Sequence, residues 1–179
     1  MTDNIVQTLK DCNAVRFGEF VLASGQKSNF YIDIKKASTD PRSLKIIACR
    51  IGELVRDHAA RNPGKKLIIG GVELGGVPIA TAVSLETELP LLIIRKAVKD
   101  YGTKSQYVGE MDPDAEIIMM EDVTTSGGSV KKAIETIRKD GGRVDCVIVI
   151  VDRESGAVES LKEIGVELIP LVRSGELVN

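Results

Sequence analysis

Ile117-Ile118-Met119-Met120-Glu121-Asp122-Val123-Thr124-Thr125-Ser126-Gly127-Gly128-Ser129 decides how this chain is read. Its apolar run lacks alternation, as in a strand covered on both faces, and it delivers two adjacent carboxylates into a small, hydroxyl-rich loop that opens a helix. Backbone N–H groups from Thr125 to Ser129, at the positive end of that helix dipole, suit a phosphate. Glu121 and Asp122 would repel it. They suit sugar hydroxyls or, directly or through water, a hard cation such as Mg²⁺. The implied ligand therefore carries a phosphate beside a diol. A Walker A loop is excluded, because no lysine follows the glycines until Lys131. An ordinary strand-to-helix turn with a Ser/Thr cap would explain the glycines, but not the acidic pair joined to a five-residue small loop.

Working outward, Leu67 to Gly71, Leu91 to Arg95, Glu116 to Asp122, Val144 to Asp152 and Val166 to Val172 read as buried strands. Helices are expected through Pro78 to Glu88, Gly128 to Asp140 and Ser155 to Ile164. The alternation predicts an α/β fold with a central, mostly parallel five-stranded sheet and helices on both faces. Ligands then belong at the strand C-terminal ends. Asp40-Pro41 reads as a helix cap and first-turn proline, with Leu44, Ile47, Ile51, Leu54 and Val55 on one buried face of a helix ending near His58. That histidine, the only one, reads as a polar residue at a helix C-terminus rather than a catalyst.

The 179 residues fit a single domain, 1–179, and the 43% hydrophobic content fits a full core. A net charge of -2 gives no global attraction to nucleic acid or anionic membrane. The absence of tryptophan argues further against a stacking surface for single strands. Cys12, Cys49 and Cys146, odd in number and without CxxC spacing, read as reduced core thiols. With no signal-like segment or long uncharged apolar run, the expectation is a cytoplasmic protein.

Four further segments carry chemistry. Phe17 to Asp33 reads as two strands around a Ser-Gly turn, with Lys27, Phe30 and Tyr31 on the second. Gly70 to Pro78 lies after a strand and before a helix, so its glycine backbone could approach a pyrophosphate closely. Arg95 to Gln106 has no regular periodicity and carries Arg95, Lys96, Lys99 and Lys104, so it reads as an exposed basic loop. Val151-Asp152-Arg153-Glu154 ends an apolar strand at the ligand face; there Arg153 either grips a planar carboxylate or pairs with a neighbouring acid.

The Glu121 to Ser129 segment resembles the phosphoribosyl pyrophosphate (PRPP) motif of type I phosphoribosyltransferases. The other segments, in order, are similar to the orotate phosphoribosyltransferases within that group. The resemblance implies the type I fold with residues 1–36 contributing an N-terminal hood. It assigns PRPP to Lys27, to the backbone of Glu73, Leu74, Gly75 and Gly76, to Arg95, Lys96, Lys99 and Tyr101, and to Glu121, Asp122, Val123, Thr124, Thr125, Ser126, Gly127, Gly128 and Ser129. Orotate falls to Phe30, Tyr31, Thr125 and Arg153. Lys99 and Asp122 are the implied catalytic residues, Lys99 facing the pyrophosphate leaving group and Asp122 the ribose. Mg²⁺ would be held mainly through PRPP and water. The chain departs from the family pattern at Gly75, where members can carry lysine, and at Tyr101, commonly histidine.

The implied reaction joins orotate to PRPP, giving orotidine 5′-monophosphate and pyrophosphate in pyrimidine synthesis. The resemblance also implies a homodimer, with the basic loop reaching into the neighbouring site. Two other readings share the opening motif: a phosphoribosyltransferase for another base, and a PRPP- or nucleotide-sensing regulator on the same fold. Sensors often add a DNA-binding helix-turn-helix or basic face, and the sequence has neither.

Overall fold

Ile117, Ile118, Met119 and Met120 are all fully buried, although successive strand residues face opposite sides of a sheet. Ile118 and Met120 pack in one apolar cluster with Ile47, Ile51, Ile79 and Val83. Ile117 and Met119 pack in a second with Val130, Ile134, Ala157 and Leu161. Two helical layers thus sandwich the sheet, which is why its strands lack an amphipathic alternation.

The computed structural model describes residues 4–21, 27–96 and 106–178. In chain order it contains α1 (Ile5–Asp11), β1 (Val15–Val21), β2 (Lys27–Ile32), α2 (Ile34–Thr39), α3 (Pro41–Arg61), β3 (Lys66–Val72), α4 (Gly76–Thr87) and β4 (Leu91–Ile94). There follow β5 (Tyr107–Val108), β6 (Ala115–Thr124), α5 (Gly128–Lys139), β7 (Arg143–Asp152), α6 (Ala157–Lys162), β8 (Glu167–Arg173) and α7 (Ser174–Leu177). The main sheet has six strands in the order β5-β4-β3-β6-β7-β8. Five are parallel, as expected; the sixth, β5, pairs antiparallel with β4 through Ile93↔Val108 and Ile94↔Tyr107. Its two residues are too few to show a strand period. Tyr107 is further held by its hydroxyl, which donates to Asp140 Oδ2 at 2.5 Å.

After β3 the chain moves outward to β4 and then returns to place β6 on the other side of β3. The reversal leaves a crevice at the C-terminal ends of β3 and β6, the usual location for a ligand in an open α/β sheet. Glu73 to Gly76 follows β3, and Glu121 to Ser129 closes β6 and begins α5. The fold therefore brings together two loops that lie far apart in sequence.

On the first layer, α1, α2 and α3 bury Leu9, Ile34, Ala37, Ile47 and Ile51. The cap expected at Asp40 is present, Oδ2 accepting from the Ser43 N–H at 2.8 Å, with Pro41 in the first turn. This helix runs on to Arg61, past the end expected near His58. The hairpin β1–β2 is a separate two-stranded antiparallel sheet with Phe17 opposite Phe30 and Arg16 opposite Tyr31. Its register shifts between Phe17 and Phe20.

Candidate active site

The β6–α5 junction encloses a cavity of about 290 Å³ lined by Lys96, Glu121, Asp122 and the continuous run Val123 to Val130. Gly127 makes the turn possible: its φ is +76°, in the left-handed region, and a Cβ there would lie 3.3 Å from the Ala157 backbone. The helix that follows supplies its N-terminal N–H groups and dipole to the cavity. The acidic end of β6 lies in the same cavity, so the loop N–H groups and the two carboxylates are adjacent.

The two acids differ in environment. Burial above all, and then the neighbouring Asp122 carboxyl, push Glu121 up to about 8. Lys96, which lines the same cavity, acts in the opposite direction. Asp122 is partly stabilised by its own strand end, Oδ1 accepting from the Val123 N–H at 2.9 Å. A divalent cation would relieve this repulsion, and carboxylate oxygens suit Mg²⁺. Among the described residues no cluster of three or more His, Cys, Asp or Glu forms a metal cage. Glu121 and Asp122 are the residues that would touch such an ion.

Gly75 packs directly on Asp122: a Cβ at that position would lie 2.2 Å from Oδ2. The space a Gly75 side chain would take is thus filled by the Asp122 carboxylate. The turn begins with a cis Glu73–Leu74 peptide. Glu73 does not offer its N–H to an anion, because it donates to Ile94 O at 2.9 Å. Its side chain has a separate partner, Oε1 accepting from the Lys96 N–H at 2.9 Å. Next to Lys96, Arg95 and Gln106 pair through two bonds, Arg95 N–H to Gln106 O at 2.9 Å and Gln106 Nε2 to Arg95 O at 2.8 Å. Lys99 and Tyr101 lie outside the described residues.

Arg153 is brought beside the loop by a stitch between β6 and β7. The buried Thr124 donates its hydroxyl to Asp152 Oδ1 at 3.1 Å, while the Arg153 N–H donates to Thr124 O at 2.9 Å. Asp152 Oδ1 also accepts from the Glu154 N–H at 3.2 Å. Among the described residues Arg153 forms no ion pair, so neither flanking acid occupies its guanidinium. The Asp152 carboxylate is thus held by Thr124 of the neighbouring strand and by the Glu154 N–H, not by Arg153.

The hairpin residues are arranged less simply than the motif suggested. Phe30 and Tyr31 are consecutive in β2 and so project to opposite faces. Phe30 packs against the first apolar cluster, whereas Tyr31 lies with its ring centroid 5.6 Å from that of Phe20. Lys27, Phe30 and Tyr31 are not among the residues lining the phosphate-loop cavity. His58, as expected, stands apart from it. It is buried with Nε2 2.9 Å from Glu116 Oε1, and Lys65 Nζ lies 2.9 Å from the other Glu116 oxygen. This cluster lies at the N-terminal end of β6, opposite the acids.

An acid-tipped strand running into a glycine-rich phosphate loop, at the switch point of a parallel sheet, defines the class of phosphoribosyltransferases. A phosphoribosyl transferase domain model matches residues 38–169. The orotate phosphoribosyltransferase of Methanosarcina mazei is 59% identical over 178 residues, spanning 97% of this chain and 90% of that protein. That of Methanococcus maripaludis is 52% identical over 177 residues, spanning 99% and 94%. Among solved structures, orotate phosphoribosyltransferase from Aeropyrum pernix aligns with a TM-score of 0.78 at 32% identity, over 97% of this chain and 96% of that one. The chain belongs to the orotate phosphoribosyltransferases.

Proposed function

We propose that this chain transfers the 5-phosphoribosyl group of PRPP to orotate, forming orotidine 5′-monophosphate and pyrophosphate in pyrimidine synthesis. The orotate ring nitrogen bonds to the ribose C1′ as the C1′–O bond to pyrophosphate breaks, and the bonding electrons leave with pyrophosphate. Because the ring nitrogen can arrive deprotonated, no strong protein base is needed. The residues orient the two reactants and stabilise charge as it separates.

The observation that carries this reading is the cavity in which the Thr125 to Ser129 loop faces Glu121 and Asp122. The loop holds the 5′-phosphate, and the acids hold the ribose hydroxyls. Leu74 and Gly75 present backbone to pyrophosphate, with Arg95, Lys96 and Lys99 supplying positive charge. Arg153, without an ion pair among the described residues, takes the orotate carboxylate with Thr125 beside it. Lys27, Phe30 and Tyr31 belong to the hood, residues 1–36 of a single catalytic domain. Mg²⁺, when bound with PRPP, neutralises part of the pyrophosphate charge.

We also propose a cytoplasmic homodimer whose basic loop serves the neighbouring site. Among the described residues no helix is long and apolar enough to cross a membrane.

The decisive experiment incubates purified protein with PRPP, Mg²⁺ and a panel of bases, following base consumption and pyrophosphate release. Turnover with orotate alone supports the assignment. Turnover with another base would move the substrate, and PRPP binding without any turnover would make the protein a sensor.

A further inference from the structure

Glu73 places a carboxylate in the loop proposed to receive pyrophosphate, where a negative charge opposes binding. Its geometry gives it another role. β3 and β4 are paired in parallel as far as Val72↔Ile94, and Glu73 extends that attachment beyond the strands. Its N–H binds Ile94 O, and its side chain accepts the Lys96 N–H. One residue therefore grips the outgoing β4 backbone at two points, through its own main chain and through its side chain.

Lys96 is where that grip has consequences. It lines the phosphate-loop cavity together with Glu121 and Asp122, and also an adjoining cavity of about 290 Å³ that includes Arg95, Gln106, Ser129 and Lys132. The Arg95–Gln106 pair fixes the preceding residue against β5. Without Glu73, the Lys96 peptide would have no described tether of its own.

We propose that Glu73 is a positioning residue: its carboxylate straps the Lys96 backbone to the β3 loop, so the Lys96 ammonium enters the phosphate site from a fixed origin. This deepens the functional reading and rests on it for the consequence in catalysis. The required property is a hydrogen-bond acceptor at the Glu73 side chain, not its charge. Glutamine keeps the acceptor and removes the charge; alanine removes both.

Two measurements separate the strap from the reaction. In the unliganded protein, amide exchange at Lys96 should be about tenfold faster in Glu73→Ala than in wild type and near wild type in Glu73→Gln. In steady state, Glu73→Ala should lower kcat/KM for PRPP about tenfold with little change in KM for orotate, and Glu73→Gln should recover most of the loss. Equal exchange in all three proteins would overturn the strap. A Gln variant as impaired as the Ala variant would show that charge, not anchoring, matters and would also overturn it. If wild-type protein does not consume orotate, the functional reading fails while the exchange experiment still judges the strap.

Discussion

Gly75 and Asp122 share one space, because the missing Cβ of the first is where the carboxylate of the second sits. The β3 loop and the β6 acid are therefore assembled as a unit. Replacing Gly75 with alanine forces the carboxylate away before any ligand binds. We expect Gly75→Ala to lower kcat/KM for PRPP at least about tenfold, or about 1.4 kcal/mol of transition-state stabilisation. Unfolding should change little because this loop is only partly buried. Steady-state kinetics beside a thermal melt check this, and wild-type kinetics would refute it.

Glu121 should couple stability to pH. Its carboxyl rises from 4.5 when free to about 8 in the folded chain, first from burial and then from Asp122. An acid so raised favours folding while protonated. That contribution is complete below the unfolded value and is lost as pH rises through about 8. Wild-type stability should consequently decline relative to Glu121→Gln between about pH 5 and about pH 8, by a few kcal/mol at most. Urea unfolding of both proteins across this window is the measurement, and parallel curves would reject it.

Arg153 should matter for one substrate only. Arg153→Ala is expected to raise KM for orotate about tenfold to a hundredfold, the loss of roughly 1.5–3 kcal/mol in a charge-assisted contact. KM for PRPP should remain near wild type. Asp152→Ala, which removes the acceptor of Thr124 and Glu154, should reproduce part of this effect from a distance. Initial-rate kinetics with each substrate varied in turn separate the two constants.

At the other end of β6, Glu116 should affect folding and not turnover. It is 2% exposed and lies against both His58 and Lys65. Glu116→Ala leaves those groups without their anion. With Lys65 still reaching solvent, about 2–3 kcal/mol of stability should be lost. Chemical denaturation measures the loss, and kcat at a temperature where the variant is folded should match wild type.

Lys99 is the proposed charge partner of the leaving group. Lys99→Ala should reduce single-turnover rates by about a hundredfold or more while changing orotate affinity far less. Rapid-quench measurement of pyrophosphate release tests this, and an unchanged rate would remove Lys99 from its proposed role.

The phosphate loop was legible because its parts are contiguous: an apolar strand, two acids, a small loop and a helix follow one another in the sequence. The parallel strands were legible for a related reason, since burial on both faces leaves uninterrupted runs of Ile, Val, Leu and Met. Contacts between distant segments left no such trace. Nothing near Gly75 announces Asp122, nothing near His58 announces Glu116, and Thr124 does not reveal Asp152. The short helices α1, α2 and α7 were also missed, having too few turns to establish a hydrophobic stripe.

Burial of β6 on both faces has a consequence for how its alignment is chosen. In a half-exposed strand, sliding by one residue turns the apolar face to water and is strongly penalised. Here Ile117 to Met120 would meet apolar surroundings in either setting, so hydrophobicity discriminates weakly between them. The polar ends must supply the choice: Glu116 locks against His58 and Lys65, and Thr124 against Asp152. The greasy middle of the strand gives cohesion, while its two polar latches tell it where to stop.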